Sequence, residues 1–586
     1  MQLVDFTTLT AACGELRTDW VPGRLEQVYQ RDRHTIALGL RTLKGRGWLT
    51  ISWHPQAARI GMGDPPPRIP DTFTFSDQLR HQLNGLALVA IEAIAPWERV
   101  LDLQFAQRPT DPASWHLYVE IMGKYSNVIL TDANHLIVTA AHQVSSQQSS
   151  VRPIQTGQPY ELPPALMGTI PNLSELQERW QERISLVPGK LQRQLLKSYR
   201  GLSPALVHSM IQAAGLDPNQ STESLALSDW QQLFHCWQEW LQALDKSEFQ
   251  PGWTEEGYTV VSWVNSPFPL PLFQPAKNVQ TLLNSYYTDQ LNQQEFAQLH
   301  NQLTQKLGNS LAKLRQKASS FEQRLQESDE ADEYRQQADL LMAYLQDWQP
   351  GMKSITLPEF ETNKPVTIPL NPEKNAVQNA QALYKRHQKL KRARQAVEPL
   401  LQDVQEEIQY LEQVEAALRI QETYNTSEDL QTLAEIREEL IQQGYLDAPE
   451  QRSRIPEVSQ PYRYRTPSGF DVLIGRNNRQ NDRLTFRTAG DYDLWFHSQE
   501  IAGSHVLLRL EPGTVPDEVD LQFAANLAAY YSQGRQSDQV PIVYTKPKHV
   551  YKPKGAKPGM AIYKQEQILW GRPQEGRNYP TVVVFP

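Results

Sequence analysis

The chain has 586 residues, too many for a single core, and calls for about three or more domains. Its composition, 40% hydrophobic and 21% charged, is globular and excludes a disordered or fibrous protein. A net charge of −9, from 57 basic and 66 acidic residues, excludes a histone-like basic protein but leaves local patches open. Two cysteines, Cys13 and Cys236, exclude a disulfide framework and a four-ligand zinc site and fit a reducing cytosol. Met1-Gln2-Leu3-Val4-Asp5 has no basic start, and the longest apolar run, Leu86–Ala95, is broken by Glu92 and falls far short of the ~20 residues that span a bilayer. No membrane or secretion signal is expected, and a cytoplasmic location is.

In chain order, residues 1 to about 170 read as α/β with many strands. Short β-rich runs fall at His34–Leu40 and Gly47–Trp53. Pro65-Pro66-Pro67 is a rigid break, and Phe75–Gly85 reads as a helix with Leu79 and Leu83 one turn apart. Val100–Phe105 and Trp115–Met122 alternate, and Asn127–Leu130 with His135–Ala140 predicts a hairpin around Asp132-Ala133-Asn134. The expectation is a sheet-rich domain made of two packed sheets.

Helical periodicity takes over from about 171 to 245. Leu195–Ala214 reads as helix, tight turn, helix, with Ser203 as N-cap, Pro204 as the first helical residue and Gly215 as the stop. This is either a helix-hairpin-helix unit, which touches nucleic-acid backbone through its turn, or an ordinary αα corner.

From about 285 to 435 the pattern is a coiled coil. Phe296, Leu299, Leu303, Leu307, Leu311, Leu314, Ala318, Phe321 and Leu325 form one seam, roughly 45 Å long at 1.5 Å per residue. Leu390, Ala393, Val397, Leu401, Val404, Ile408, Leu411 and Leu418 form a return seam that Pro399 should kink. A Pro- and Thr-rich segment, Trp348–Pro372, lies between them. Both a dimerisation coil and an antiparallel hairpin with a knob at its tip fit; two seams in one chain with a bounded connection favour the hairpin. Residues 453 to 586 read as a further α/β unit. Its strands fall at Asp471–Gly475, Val506–Leu510 and Val540–Tyr544, its Ala-rich helix at Leu521–Tyr531, and Ser459–Arg465 is expected as linker.

Charge is unevenly spread. Residues 401–450 hold 2 basic and 13 acidic residues, and residues 453–586 hold 17 and 13. Phosphate-loop, HExxH, CxxC and GxSxG motifs are absent, so no catalytic residue and no cofactor is expected. His497 and His505 lack the spacing of a zinc helix. The run Gly475–Asp482, with Arg476, Asn477, Asn478, Arg479, Asn481 and Asp482, fits phosphate and base-edge contact, and equally a polar surface turn. Trp495 and Phe496 are neighbours, so only one faces inward in a strand; aromatics in such a run either stack on bases or fill a core, and the second ring needs its own explanation. Pro541–Lys564 carries six lysines, among them Lys552, Lys554 and Lys557, and no acid, which suits a phosphate-tracking loop. Lys385–Arg394 has six Lys and Arg and no acid, with Lys385, Lys389 and Arg392 on one helical face. In the first domain, Glu120, Gly123, Lys124, Ser126 and Asn127 form a polar tip on a strand, and Arg80 and the Glu98-Arg99 pair offer further phosphate contacts.

These runs resemble the NFACT family. IGRNNRQNDRLTFRTAGDYDLWFHSQEIAGSHV and KHVYKPKGAKPGM are similar to its C-terminal RNA-binding domain, LYVEIMGKYSNVILTD and DTFTFSDQLRHQLNG to its N-terminal domain, and IPLNPEKNAVQNAQALYKRHQKLKRA to the signature after the knob of its coiled coil. The resemblance implies a multidomain α+β chain. Its parts would be a glycosylase-like N-terminal domain (1–170), a helix-hairpin-helix domain (171–284), a long antiparallel coiled-coil hairpin (285–445, knob at about 346–372) and a C-terminal α/β RNA-binding domain (453–586). It implies a ribosome quality-control factor that binds a large ribosomal subunit holding peptidyl-tRNA, contacts rRNA, recruits alanyl-tRNA and drives untemplated alanine tailing. It leaves room for a small RNA-binding partner protein. Arg80, Glu98, Arg99, Glu120, Gly123, Lys124, Ser126 and Asn127 are the implied tRNA contacts, and the C-terminal and coil residues named above, with Trp495, His497 and His505, the implied RNA and ribosome contacts.

Position 2 is Gln2 where the glycosylases have a proline nucleophile, so base release is not implied. The family's contacting pair is usually Asp-Arg and here is Glu98-Arg99, one methylene longer. Two other readings compete: a surface adhesin binding fibronectin, which export would favour, and a nucleic-acid repair enzyme, which base or strand release would favour.

Overall fold

The computed structural model describes residues 1–67, 70–149, 152–164, 168–263, 273–448 and 458–581. The start expected for the last domain, at 453, lies outside them. The chain divides into two units, Met1–Asn292 and Gln293–Pro586.

The first unit is built on a single nine-stranded sheet, not two packed sheets. Helix α1 (Phe6–Trp20) leads into β1 (Gly23–Asp32), β2 (Thr35–Arg41), β3 (Arg46–Ser52) and β4 (Arg59–Gly63). After α2 (Thr74–Leu83) come β5 (Ala87–Ala93), β6 (Val100–Ala106), β7 (Trp115–Glu120), β8 (Asn127–Asp132) and β9 (Ile137–Ala140). The order β4-β3-β2-β1-β5-β6-β7-β8-β9 is two antiparallel meanders joined edge to edge, where Gly23 and Arg24 pair with Leu88 and Ala87. Alternation marks β6 and β7, and the Asp132-Ala133-Asn134 turn marks the hairpin of β8 and β9. Alternation fails for β5, whose apolar run reads equally as buried helix or strand.

A helical layer follows: α3 (Gln177–Ser185), α4 (Leu191–Ser198), α5 (Pro204–Ala213) and α6 (Leu227–Lys246). Trp180, Trp237 and Trp240 are fully buried there, with ring centroids 5.8 and 5.0 Å apart along the series. Trp240 meets Trp97 at 5.6 Å, and Trp97 stacks on Phe6 of α1 at 4.7 Å. This line of rings, each pair contributing ~0.5–1.5 kcal/mol beyond area burial, ties helices to sheet. A small sheet of β10 (Gly252–Thr254), β11 (Gly257–Thr259) and β12 (Gln274–Pro275) closes the unit, and α7 (Val279–Asp329) starts in it.

In the second unit α7 pairs with α9 (Ala376–Ile420) inside the same chain. Phe296, Leu299, Leu303, Leu307 and Leu311 pack with Tyr410, Leu411, Val414 and Leu418. The order is antiparallel: His300 reaches Leu418 O at 3.1 Å, while Arg315, later in α7, pairs with Glu412, earlier in α9, at 2.8 Å. α9 continues through Pro399 without a break. Between the helices come α8 (Ala331–Ala343) and the hairpin β13 (Ser354–Pro358) and β14 (Pro365–Pro369), the knob read from sequence. α10 (Ser427–Gln442) adds Leu433, Ile436 and Leu440 to the seam.

The last part is a six-stranded sheet in the order β15-β16-β18-β17-β19-β22. Its strands are β15 (Tyr462–Arg465), β16 (Asp471–Ile474), β17 (Leu494–Ser498), β18 (Val506–Leu508), β19 (Val540–Thr545) and β22 (Gln567–Gly571). Short α11 (Asn478–Arg483) follows β16, α12 (Glu518–Tyr530) covers one face, β20 (Val550–Tyr551) and β21 (Ile562–Tyr563) make a ribbon, and α13 (Pro573–Arg577) ends the fold. The segment expected as linker is therefore mostly strand: Tyr462 to Arg465 pair with Ile474 to Asp471. Among the described residues no helix is long and apolar enough to cross a membrane.

Candidate nucleic-acid interface

The tip after β7 is built by its polar residues rather than presented by them. Gly123 has φ +58°, which favours glycine, and starts a short 3-10 turn. Ser126 Oγ accepts from Met122 N at 2.8 Å and donates to Gly123 O at 2.7 Å, closing the turn. Asn127 Nδ2 donates to His142 O at 2.7 Å while its Oδ1 accepts from His142 N at 3.0 Å. Glu120 is 1% exposed; Arg152 forks onto it, with Nη1 at 3.0 Å, and Tyr160 donates to it at 2.9 Å. Glu120, Ser126 and Asn127 are therefore scaffold, because every polar atom they could offer to RNA is committed within the fold. What the tip offers is Lys124, over the Tyr125 ring at 4.9 Å, and Tyr125 itself, 70% exposed. Tyr125 escaped the sequence reading, although it lies inside the quoted run.

Glu98 and Arg99 lie at the seam of sheet and helices. Glu98 pairs with Arg200 at 3.5 Å. Arg99 Nη1 donates to Val4 O at 3.1 Å, and burial holds its guanidinium below the usual arginine range despite Asp5 and Glu98 nearby. Asp5 accepts from Thr8 N at 2.8 Å, capping α1, and from Ser203 Oγ at 2.6 Å, while Ser203 caps α5. Trp97, just before the pair, has φ +64°, a strained value for an aromatic residue, held by its two ring contacts. A Cβ on Gly201 would stand 2.5 Å from Trp97 Cε3, so the α4–α5 turn rests on Trp97. Asp5 and Trp97 had no local signal in the sequence, because both act across the chain. Arg80 is fixed to Asp71 at 3.0 Å and Asp77 at 3.1 Å and remains 39% exposed.

The C-terminal polar block is turned inward onto the acidic stretch. Arg476, 9% exposed, pairs with Asp429 at 2.9 Å and Glu428 at 3.1 Å and lies over Tyr462 at 3.9 Å. Asn477 donates to Glu435 and caps α11; Asn478 donates to Glu439 at 3.1 Å; Arg479 donates to Gln442 at 2.6 Å. Asn481 Oδ1 accepts from His505 N at 3.0 Å. Burial pushes the Glu439 carboxyl above the usual carboxylate range although Tyr410 and Asn478 donate to it. Trp495 is 1% exposed with its Nε1 on Thr485 at 3.0 Å, and it is Trp495, with Phe496 on the opposite face, that fills a core. His505 is buried with Nδ1 2.6 Å from Thr485 Oγ1, and burial lowers its pKa. His497 faces Gly503 O at 3.3 Å, and burial lowers its pKa to about 4.

Arg476, Asn477, Asn478, Asn481, Trp495 and His505 are thus engaged by partners within the fold. Lys552 is paired with Asp482, whose other oxygen accepts from Gly559 N at 3.1 Å. Lys557 sits over Tyr410 at 4.8 Å and Tyr445 at 4.7 Å, and burial lowers its pKa against the pull of Glu407. Lys554, Lys546, Lys548 and Lys564 remain exposed, with Arg483 and Arg487 beyond the polar block. On α9, Lys385, Lys389 and Arg392 are exposed, whereas Arg386 lies over Tyr334 at 4.4 Å and His387 meets Ala331 O at 2.8 Å.

Exposed cations at a strand tip, along a coil and on a small sheet domain are features that suit contact with a polyanion. The sequence matches the NFACT N-terminal and middle domains over residues 5–457 and the NFACT protein RNA binding domain over residues 460–564. The chain belongs to the NFACT family. It is 32% identical over 574 residues to a Streptococcus suis protein named Rqc2 homolog RqcH, covering 96% of this chain and 97% of that one. The protein of the same name from Bacillus subtilis is 31% identical over 576 residues, covering 95% and 96%. Among solved structures, the C-terminal part of the fibronectin/fibrinogen-binding protein of Streptococcus suis is 32% identical, with a TM-score of 0.38, over 48% of this chain and 98% of that one.

Proposed function

We propose that this chain is a cytoplasmic ribosome quality-control factor. It binds stalled large ribosomal subunits carrying peptidyl-tRNA, recruits alanyl-tRNA and directs untemplated alanine tailing of the nascent chain, which marks that chain for degradation. The observation that carries the reading is the match to proteins named RqcH over 95% or more of both chains. The protein supplies no covalent chemistry in this reading; the peptidyl-transferase centre makes each bond and the chain positions tRNA.

The division of labour follows from exposure. Lys124 and Tyr125 meet tRNA, a cation beside a stacking ring. Arg99, held between Val4 and Asp5, sets the geometry of the sheet–helix seam. Lys385, Lys389 and Arg392 meet rRNA along the coil. The test mixes the protein with purified large subunits holding peptidyl-tRNA and sequences the tRNAs that co-purify, alongside sequencing of the tails on stalled chains in cells with and without the gene. Enrichment of alanine tRNA and gene-dependent alanine tails are expected. No enrichment of any tRNA sinks the recruiting role.

A further inference from the structure

A cavity of about 530 Å³ opens on the first sheet, bounded by β1, β3, Pro65–Pro67 and the end of α2. Glu26, Gln27, Tyr29, Trp48, Arg80 and Asn84 are among the side chains that line it. Its floor depends on one glycine. In the ladder, Gln27 of β1 and Trp48 of β3 both pair with Gly39 of β2. A Cβ on Gly39 would lie 3.2 Å from Trp48 Cζ3 and 3.2 Å from Gln27 Cβ. The outer edge of the indole therefore crosses β2 through the gap that glycine leaves, and gives the cavity an aromatic floor.

A row of arginines adjoins it. Arg24, Arg41 and Arg46 are register partners across β1, β2 and β3. Arg41 and Arg46 stand two residues from Gly39 and Trp48, so they share that face of the sheet. All three are exposed, and Glu26 offsets two of them, at 3.4 Å from Arg41 and 3.3 Å from Arg46. On the far wall Arg80 is held in place by Asp71 at 3.0 Å and by Val28 O at 3.2 Å. The exposed side-chain amides of Gln27 and Asn84 add both donors and acceptors at the rim.

An aromatic floor, amides at the rim and a cation row on one side match the parts of a nucleotide: a flat base, its hydrogen-bonding edge and a phosphate. We infer that this cavity holds one nucleotide unit, base on Trp48 and phosphate on Arg41 and Arg46. That unit is either an unstacked nucleotide of a bound RNA or a free nucleoside monophosphate. The RNA form rests on the tRNA-recruiting role proposed above; the free form does not.

The experiment has two arms on the full chain. Equilibrium dialysis measures binding of AMP and UMP. Photo-crosslinking with 4-thiouridine-substituted tRNA, read by mass spectrometry, maps RNA contacts. Saturable nucleotide binding, or a cross-link at Trp48 or within residues 65–67, is expected. Trp48→Ala should weaken either by about tenfold, the loss of one base stack, and Arg41→Glu by about fivefold. Arg41 is exposed, so its reversal keeps the fold, and a thermal unfolding curve checks both variants. Absence of both saturable binding and cross-link overturns the inference, as does binding that both variants leave unchanged. If tRNA is recruited without a cross-link here and dialysis is negative, the cavity assignment fails and the recruiting role stands. If no tRNA binds at all, the recruiting role fails and the dialysis arm alone decides the cavity.

Discussion

The runs Glu120–Asn127 and Gly475–Asp482 are both polar, both follow a strand and both suit phosphate or base contact by composition. Their fates differ. In the first, Glu120, Ser126 and Asn127 fold the turn and leave Lys124 and Tyr125 outside. In the second, Arg476, Asn477, Asn478 and Arg479 turn onto α10 and leave exposed cations only further along, at Arg483 and Arg487. Polar composition shows that hydrogen bonds will be made; the partner, another helix or an RNA, depends on what the fold brings alongside.

The largest expected effect breaks that comparison directly. Arg476→Ala takes the cation from Asp429 Oδ1, while the Asn425 and Thr426 N–H groups still donate to its Oδ2, and should cost about 3 kcal/mol of stability in the second unit. Denaturant unfolding and hydrogen exchange across α10 measure it. An unchanged midpoint with lost RNA affinity would return the block to the RNA-contact class.

Next is the pH response of the C-terminal sheet. His497 titrates near 6.5 unfolded and at about 4 folded, and the His505 pKa is also lowered. The unfolded chain thus binds more protons between these values, so stability is full above about pH 6.5 and falls as pH drops toward 4, by up to ~3 kcal/mol. His497→Gln should flatten that slope in thermal unfolding recorded at a series of pH values.

The tip tests the opposite class. Lys124→Ala with Tyr125→Ala should leave stability within ~0.5 kcal/mol and lower tRNA recovery at least fivefold, through loss of a stack worth ~1–3 kcal/mol. A fall in stability with tRNA recovery intact would make the tip structural as well. The smallest effect is expected from Lys554→Ala. It should shift RNA affinity slightly and reduce the slope of log K against log salt by less than about 1, whereas a triple change of Lys385, Lys389 and Arg392 to Ala should reduce it by about 2.

Much of the second unit was legible because its signals are local. A seam at spacings of three and four, a Ser cap and a Gly turn each need only a few neighbouring residues; they place the coil of the second unit and, in the first unit, the α5 start and the tip glycine. The first unit was less legible. β5 hides in an apolar run, β1 carries two bulges that disturb its alternation, and α1 holds its position through Asp5 and Phe6, whose partners are Ser203 and Trp97. The linker expected at Ser459–Arg465 became an edge strand because Asp471–Ile474 offered it a ladder.

Charge shows the same boundary. By itself the sequence determined that residues 401–450 are acidic, that the C-terminal part is basic, and that the chain belongs with proteins holding such parts in this order. Only the tertiary structure decided that the acids of α10 receive the Arg and Asn side chains of the polar block, so that the groups most like an RNA site are already satisfied. The physical reason is that burial and pairing are properties of distant neighbours. A side chain's type fixes which bonds it can make, and the fold alone fixes which of them are left for a ligand.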